Sequence, residues 1–296
     1  MRLTFQPVSL AHQPLYEAYL SSCPEVSSDY GFINLFSWAT VYGLDIAWTD
    51  SLAWIRQRLP EPVLWAPVGD WHGVDWPALR SDYPARFKEF TRVPRTLADI
   101  WQREFNDSVS LSEDRGQWDY IYDASELINL KGNRFHKKKN LVNQFKKNNA
   151  YTYVGMTDDI ADHAMALQDD WCTWRLCESS SQLEAENQAI MRTLTNWEAL
   201  NGVFGGVIFV DDLIVAYTIG EMLAPDTLAV HFEKGCPDYK GSYQAINQLF
   251  LKHQGETVQW VNREPDLGDD GLRKAKLSYH PTDFLKKYPV RFQQAR

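Results

Sequence analysis

The stretch 203–233 restricts the fold more than any other part of the chain. Residues 203–210 and 213–221 are rich in β-branched and aromatic side chains, and only Asp211 and Asp212 separate them. Two such runs around a two-residue turn read as a tight antiparallel hairpin. A third run, Leu228-Ala229-Val230-His231-Phe232-Glu233, follows after a short break. Three consecutive antiparallel strands need something to cover their apolar face, and helices are the usual cover.

The flanking sequence supplies them. Residues 151–154 read as a strand. Thr157 caps a helix whose first turn holds Asp158 and Asp159, favourable at the positive end of the helix dipole. Ile160, Ala164, Leu167, Trp171 and Trp174 continue it at helical spacing, and Leu183, Ile190, Leu194 and Trp197 mark a second helix. After the three strands come a helix at 243–253, a strand at 258–261, a short helix at 272–277 and a last strand at 288–292.

The first half reads as a looser version of the same order. It has a strand near 3–6, helices at 14–20 and 32–38, and strands at 45–48, 52–56 and 62–67. A helix at 76–81, a strand at 87–93, a helix at 96–105 and a strand at 118–122 complete it. No repeat is visible at residue level. The expectation is an α/β (α+β) protein of two domains, 1–125 and 126–296, each a mixed central sheet flanked by helices. A length of 296 residues suits two domains of that size.

Composition excludes several classes. Hydrophobic residues make up 44% and charged residues 23%, so the chain folds as a globular protein. Twelve tryptophans can fill cores or line a groove. The segment Met1 to Pro7 lacks the apolar stretch of a secretion signal. No run approaches the ~18 apolar residues of a membrane span. Cys23, Cys172, Cys177 and Cys236 form no Cys-x-x-Cys pair, which predicts a reducing, cytoplasmic setting without a disulfide framework. The seven histidines show no metal-ligand spacing, so no metal is expected.

Charge is unevenly placed. The formal net charge is −9, yet the segment 131–147 carries Lys131, Arg134, Lys137, Lys138, Lys139, Lys146 and Lys147 and no acid. Phe135, Val142 and Phe145 put a narrow apolar stripe on this basic helix. It reads either as a solvated connector or as a cradle for a phosphate-bearing substrate. An acidic body with one basic strip points to a local anionic partner and away from DNA. Docking on a membrane surface is the weaker reading, because the apolar face is narrow.

The order strand, two helices, three strands, helix, strand, helix, strand is that of a GNAT acyltransferase domain. Near the C-terminus, Gly271-Leu272-Arg273, then Lys276, Tyr279 and Pro281, resemble the C-terminal domain family of phosphatidylglycerol lysyltransferases. Ala275 stands where that family has an aromatic residue. Gly132, the basic helix, Asn143, Phe145 and the helix ending in Trp171 extend the likeness. The resemblance implies tandem GNAT-like domains related to the Fem peptidyltransferases, with an activated aminoacyl or acyl group moved to an amine or hydroxyl. The donor it implies is acyl coenzyme A or aminoacyl-tRNA. The oligomeric state and the acceptor stay open.

Three sets of site residues follow. Lys276 and Arg273 share a helical face, and the resemblance gives Lys276 the contact with the reacting carbonyl or donor phosphate. His231 and Glu233 point to one side of their strand, and either is a candidate general base. Glu264 and Asp266 lie near a strand end, and Arg263 and Glu264 can equally form a structural pair. Lys240, Gly241 and Ser242 precede the helix at 243–253, where a GNAT domain binds the donor pyrophosphate on main-chain amides. Arg134, Lys137, Lys138 and Arg263 are the candidate phosphate contacts. The competing reading is a non-catalytic binding module that uses the same groove for a small anionic ligand or an RNA end.

Overall fold

A computed structural model describes residues 3–83, 88–254 and 257–293. In chain order its strands are β1 (Gln6–Pro7), β2 (Asp45–Trp48), β3 (Leu52–Gln57), β4 (Val63–Trp65), β5 (Val68–Gly69), β6 (Glu89–Pro94), β7 (Val109–Leu111) and β8 (Asp119–Asp123). They continue as β9 (Tyr151–Gly155), β10 (Phe204–Val210), β11 (Leu213–Ala224), β12 (Thr227–Gly235), β13 (Trp260–Asn262), β14 (Asp283–Leu285) and β15 (Lys287–Phe292). Phe87, placed by the sequence in the strand at 87–93, lies outside the described residues.

The chain divides into two units. The first holds Met1–Asp119, Pro265–Asp270 and Phe284–Arg296, and the second Tyr120–Glu264 and Gly271–Asp283. The sequence drew one boundary at 125/126. The chain instead changes unit after Asp119 and sends two C-terminal segments back. Strand pairing is non-local, so composition along the chain carries no mark of it.

In the first unit the sheet order is β1-β2-β3-β4-β6-β15-β7, with β5 on β3. β4 and β6 are parallel and the other described pairs antiparallel, so the sheet is mixed. The last strand, read from sequence as part of the second half, is hydrogen-bonded between β6 and β7. Helix Arg95–Phe105 buries Leu97, Ala98 and Trp101 on one side. Trp101 meets Trp76 edge-on at 5.4 Å and Phe90 at 4.8 Å. Trp54, Trp71, Trp76 and Trp101 are all fully buried, so these tryptophans fill the core and line no groove.

A buried charge network pins this unit together. Lys287 on β15 pairs with Asp29 and, at 2.6 Å, with Asp119. Arg92 pairs with Asp29 and stacks 4.2 Å above Trp65. Ser28 donates its main-chain N–H at 2.8 Å and its hydroxyl at 2.9 Å to Asp119. Two acids and two cations balance, and each carboxylate is held by more than one donor.

In the second unit the order is β14-β8-β13-β12-β11-β10-β9, with β14 at the edge where the chain leaves the unit. β12 and β13 are parallel, while β13–β8, β12–β11, β11–β10 and β10–β9 are antiparallel. The hairpin has the expected register, Val210 opposite Leu213. Asp211 and Asp212 take φ of 51° and 64°, the two positive values that a twist-matched two-residue turn requires. Helices Asp158–Arg175, Ser181–Thr195 and Ser242–Gln254 follow the predicted order. Helix His136–Asn148 buries Val142 and Phe145, as its stripe predicted.

Two mixed sheets flanked by helices form the tandem GNAT-like α/β architecture that the element order implied. One expectation from the cysteines is corrected. Cys172 and Cys177 are joined in a disulfide with Cα atoms 5.0 Å apart. Leu176, at φ 52°, turns the chain back on the helix end and brings the two together. A count of Cys-x-x-Cys spacings does not register that turn. Cys23 and Cys236 are free thiols. Among the described residues, no helix is long and apolar enough to cross a membrane. None of their His, Cys, Asp and Glu side chains form a group that could hold a metal ion.

Candidate functional site

The chemistry-bearing side chains of the second unit gather where β12 and β13 run parallel and β13 ends. The sequence reading put His231 and Glu233 on one side of β12, but a bulge at His231 breaks the alternation: Glu233 stands opposite Thr218, while Ala229 stands opposite Glu221, the residue that His231 bonds. Arg263 and Glu264 follow directly from β13, and Lys276 reaches them from helix Asp270–Leu277.

His231 is fully enclosed. Its Nε2 lies 2.8 Å from Glu221 and its Nδ1 2.7 Å from Glu264. Both ring nitrogens face carboxylates, so both donate and the ring is an imidazolium. Burial works against the charge. The two carboxylate hydrogen bonds outweigh it and push the pKa up to about 10. A cation with both N–H groups engaged accepts no proton, so the expected role of His231 as general base is withdrawn.

Glu233 is engaged at both oxygens. Oε1 accepts from Arg263 Nη2 at 3.0 Å and Oε2 from Asn247 at 3.1 Å. Glu233 therefore holds Arg263 in place. The Arg263 side chain is half-buried. Burial opposes its charge, and Glu233 beside it restores and raises its pKa. The guanidinium carbon lies 4.9 Å from the Tyr279 ring centroid and 5.9 Å from that of Tyr122. Among the described residues, its Nη1 is buried without a hydrogen-bond partner.

Lys276 sits beside this group in a supporting place. Its ammonium donates to the main-chain carbonyls of Arg263 and, at 3.1 Å, of Glu264. Glu264 has φ 59°, a left-handed conformation unusual for a residue with a long side chain. The Asn262 side chain accepts the Glu264 N–H at 2.8 Å and braces the same bend. Lys276 thus holds the turn that aims Arg263 and Glu264. Arg273, its helix neighbour, is half-buried and engaged in contacts of its own.

Lys138 completes the group from the basic helix. Its ammonium lies 4.0 Å from the Tyr279 ring centroid. Burial and then the nearby Arg263 push its pKa down to about 8, with Glu233 acting in the opposite sense. Of the other basic-segment candidates, Arg134 pairs with Glu126 and Lys137 is exposed. Asp266 is placed in the first unit, where it accepts the Gly268 N–H at 2.9 Å and faces Arg115 at 3.5 Å.

The donor-loop candidates occupy a different setting. Gly241 has φ 91°, and a Cβ built there would come within 2.3 Å of the Leu141 carbonyl oxygen. The Ser242 N–H donates to Tyr239 and its hydroxyl to Cys236, at 2.9 and 3.1 Å. Lys240 is exposed. Gly241 is needed for close packing on helix His136–Asn148, and the Ser242 amide closes a turn.

Sequence reading missed Glu221, Tyr279, Tyr122 and Asn247 as members of the cluster. Alternation along β11 could have found Glu221, which is an acid among apolar neighbours. It also missed the side of β12 opposite Glu233. There Lys234 is buried 3.9 Å above Trp171 and 2.8 Å from Glu186. Burial lowers the Lys234 pKa. The Trp171 indole N–H donates to Tyr243 at 2.8 Å, and Tyr217 donates to Gln168 at 2.5 Å.

Comparison with known proteins agrees with this architecture. The family described as phosphatidylglycerol lysyltransferase, C-terminal, matches residues 21–291. A conserved protein of unknown function from Bacteroides thetaiotaomicron is 31% identical, with a TM-score of 0.91 over 99% of this chain and 100% of that one. The L-PGS of Bacillus licheniformis shares the fold at 12% identity, with a TM-score of 0.65 over 100% of this chain and 95% of that one. An uncharacterized protein of Mycoplasmoides gallisepticum is 24% identical over 178 residues, 58% of this chain and 55% of that protein. The chain thus matches about half the length of that curated relative.

Proposed function

The chain belongs to the phosphatidylglycerol lysyltransferase C-terminal family, and we propose that it transfers an activated aminoacyl or acyl group to an amine or hydroxyl acceptor. The observation that carries the reading is the half-buried Arg263, fixed by a Glu233 that Asn247 in turn holds, with its buried Nη1 unpartnered among the described residues and the Lys138 ammonium close enough to feel its charge. An ester donor is already activated. The protein's work is to hold the donor, orient the acceptor and stabilise negative charge on the carbonyl oxygen. Arg263 and Lys138 are the cations suited to the first and last tasks. Glu233, Asn247 and Lys276 are positioning residues.

The proposed donor is an aminoacyl ester on RNA. The packing of Gly241 against Leu141 and the turn at Ser242 argue against a pyrophosphate cradle for acyl coenzyme A at that helix start. The exposed lysines of helix His136–Asn148 suit an RNA strand. The alternative is a binding module for a small anionic ligand or an RNA end. What favours it is that His231 and Glu233 are both engaged, which leaves neither as a base. A thermal-shift comparison separates the donors. A stable aminoacyl-amide analogue of an RNA 3′ end should raise the melting temperature, and coenzyme A should not. A shift with coenzyme A alone overturns the choice of donor.

A further inference from the structure

We propose that Cys172 and Cys177 form a reversible thiol–disulfide exchange site, and that a dithiol opens it and loosens the hold of helices Asp158–Arg175 and Ser181–Thr195 on Lys234. The inference goes beyond the transferase reading and does not rest on it.

The position of the bond carries the inference. Its sequence separation is only 5, and so short a loop gives a cross-link less unfolded-state entropy to remove than a long one does. The bond is a weak staple for the fold as a whole. Locally it spans the connection between two helices. Cys172 lies in the last turn of the first, and Cys177 opens the turn Cys177–Ser179, after which Ser180 caps the second. Between the two cysteines Leu176 is held at φ 52°, a left-handed conformation that a side chain disfavours. Both helices supply the partners of Lys234, which is buried on β12. Trp171, next to Cys172, offers its ring at 3.9 Å, and Glu186 its carboxylate at 2.8 Å. Gln168 ties the helices together, donating to Asn187 at 2.9 Å, and lies 3.7 Å from the Cys172 sulfur. The cross-link is thus one end of a chain of contacts, and a buried cation is the other.

Cys172 is half-buried and Cys177 buried, so Cys172 is the sulfur that an incoming thiolate reaches. The attack forms a mixed disulfide at Cys172 and releases Cys177 as a thiolate, which takes a proton. The second thiol of the dithiol then displaces Cys172, which also takes a proton. The dithiol ends as a disulfide, and its two electrons and two protons pass to the cysteines. With the ring open, Leu176 can leave the left-handed region, and the helix ends that carry Trp171 and Glu186 lose their cross-link.

The test equilibrates the full chain at fixed ratios of reduced to oxidised dithiothreitol. Thiols are counted by maleimide mass labelling and located by peptide mapping. Free thiols should rise from two, Cys23 and Cys236, to four as the ratio rises, and return to two on reoxidation. On reduction, amide exchange over 168–187 should speed up about tenfold or more, with that over 89–105 unchanged. Labelling of Lys234 by a succinimidyl ester should speed up with it. The double variant Cys172→Ser, Cys177→Ser should exchange like reduced wild type at every ratio, and if it fails to fold the wild-type titration decides alone. A count that stays at two, or that reaches four and never returns, overturns the exchange site. Four thiols with unchanged exchange over 168–187 and unchanged Lys234 labelling overturn the release.

Discussion

The Lys276 ammonium lies 3.1 Å from the main-chain carbonyl oxygen of Glu264, a residue held at φ 59°. The same ammonium also donates to the Arg263 carbonyl, so one side chain secures two consecutive residues of the cluster. The sequence assigned Lys276 to the reacting group. The structure gives it the bend that presents Arg263 and Glu264.

That difference has a measurable consequence. Lys276→Ala leaves two partly buried carbonyls without their charged donor and frees a strained turn. Stability should fall by about 1–3 kcal/mol in urea unfolding. A lysine serving only the reaction would lower turnover and leave the unfolding midpoint unchanged.

The pair of carboxylates around His231 makes stability depend on pH. The folded pKa, about 10, is above the ordinary 6.5. The imidazolium contribution is therefore fully present below pH ~6.5 and is lost as pH rises toward 10. Wild type should lose stability relative to His231→Gln between pH 7 and 10, read as converging unfolding midpoints. A constant difference between the two proteins across that range contradicts a charged His231.

In the first unit, Lys287→Met leaves Asp29 and Asp119 buried with one cation fewer. The expected cost is about 3 kcal/mol or more, because an uncompensated buried charge remains. Adding Asp119→Asn, which neutralises the carboxylate whose ion-pair partner was Lys287 while Asp29 keeps Arg92, should recover part of it. An unfolding curve for the single variant that overlays wild type shows that the network does not pin the unit.

Much of the fold was legible because periodicity and turn chemistry are local. The Asp211-Asp212 hairpin, the capped helix after Thr157 and the stripe on helix His136–Asn148 each announce themselves within twenty residues. What stayed hidden depends on distant partners. Strand Lys287–Phe292 reads as the end of the second half, and it pairs with β6 and β7. His231 and Glu233 were read as sharing one side of a strand, and the bulge at His231, which depends on the pairing with β11, separates them. Whether a histidine is a base or a locked cation depends on Glu221 and Glu264, ten and thirty-three residues away. Gly241 and Ser242 look like a phosphate cradle until Leu141, a hundred residues earlier, is packed against them.

The central claim is that the second unit moves an aminoacyl or acyl group, using the Glu233-fixed Arg263. The direct measurement incubates the full chain with a pool of tRNA charged with radiolabelled amino acids, together with amine and hydroxyl acceptors, and follows label leaving the RNA for the acceptor. Wild type should move at least one amino acid. Arg263→Gln should be slower by about 10²-fold or more, and Glu233→Gln should fall between the two. Label that stays on the RNA in every mixture, or an Arg263→Gln protein as fast as wild type, contradicts the account.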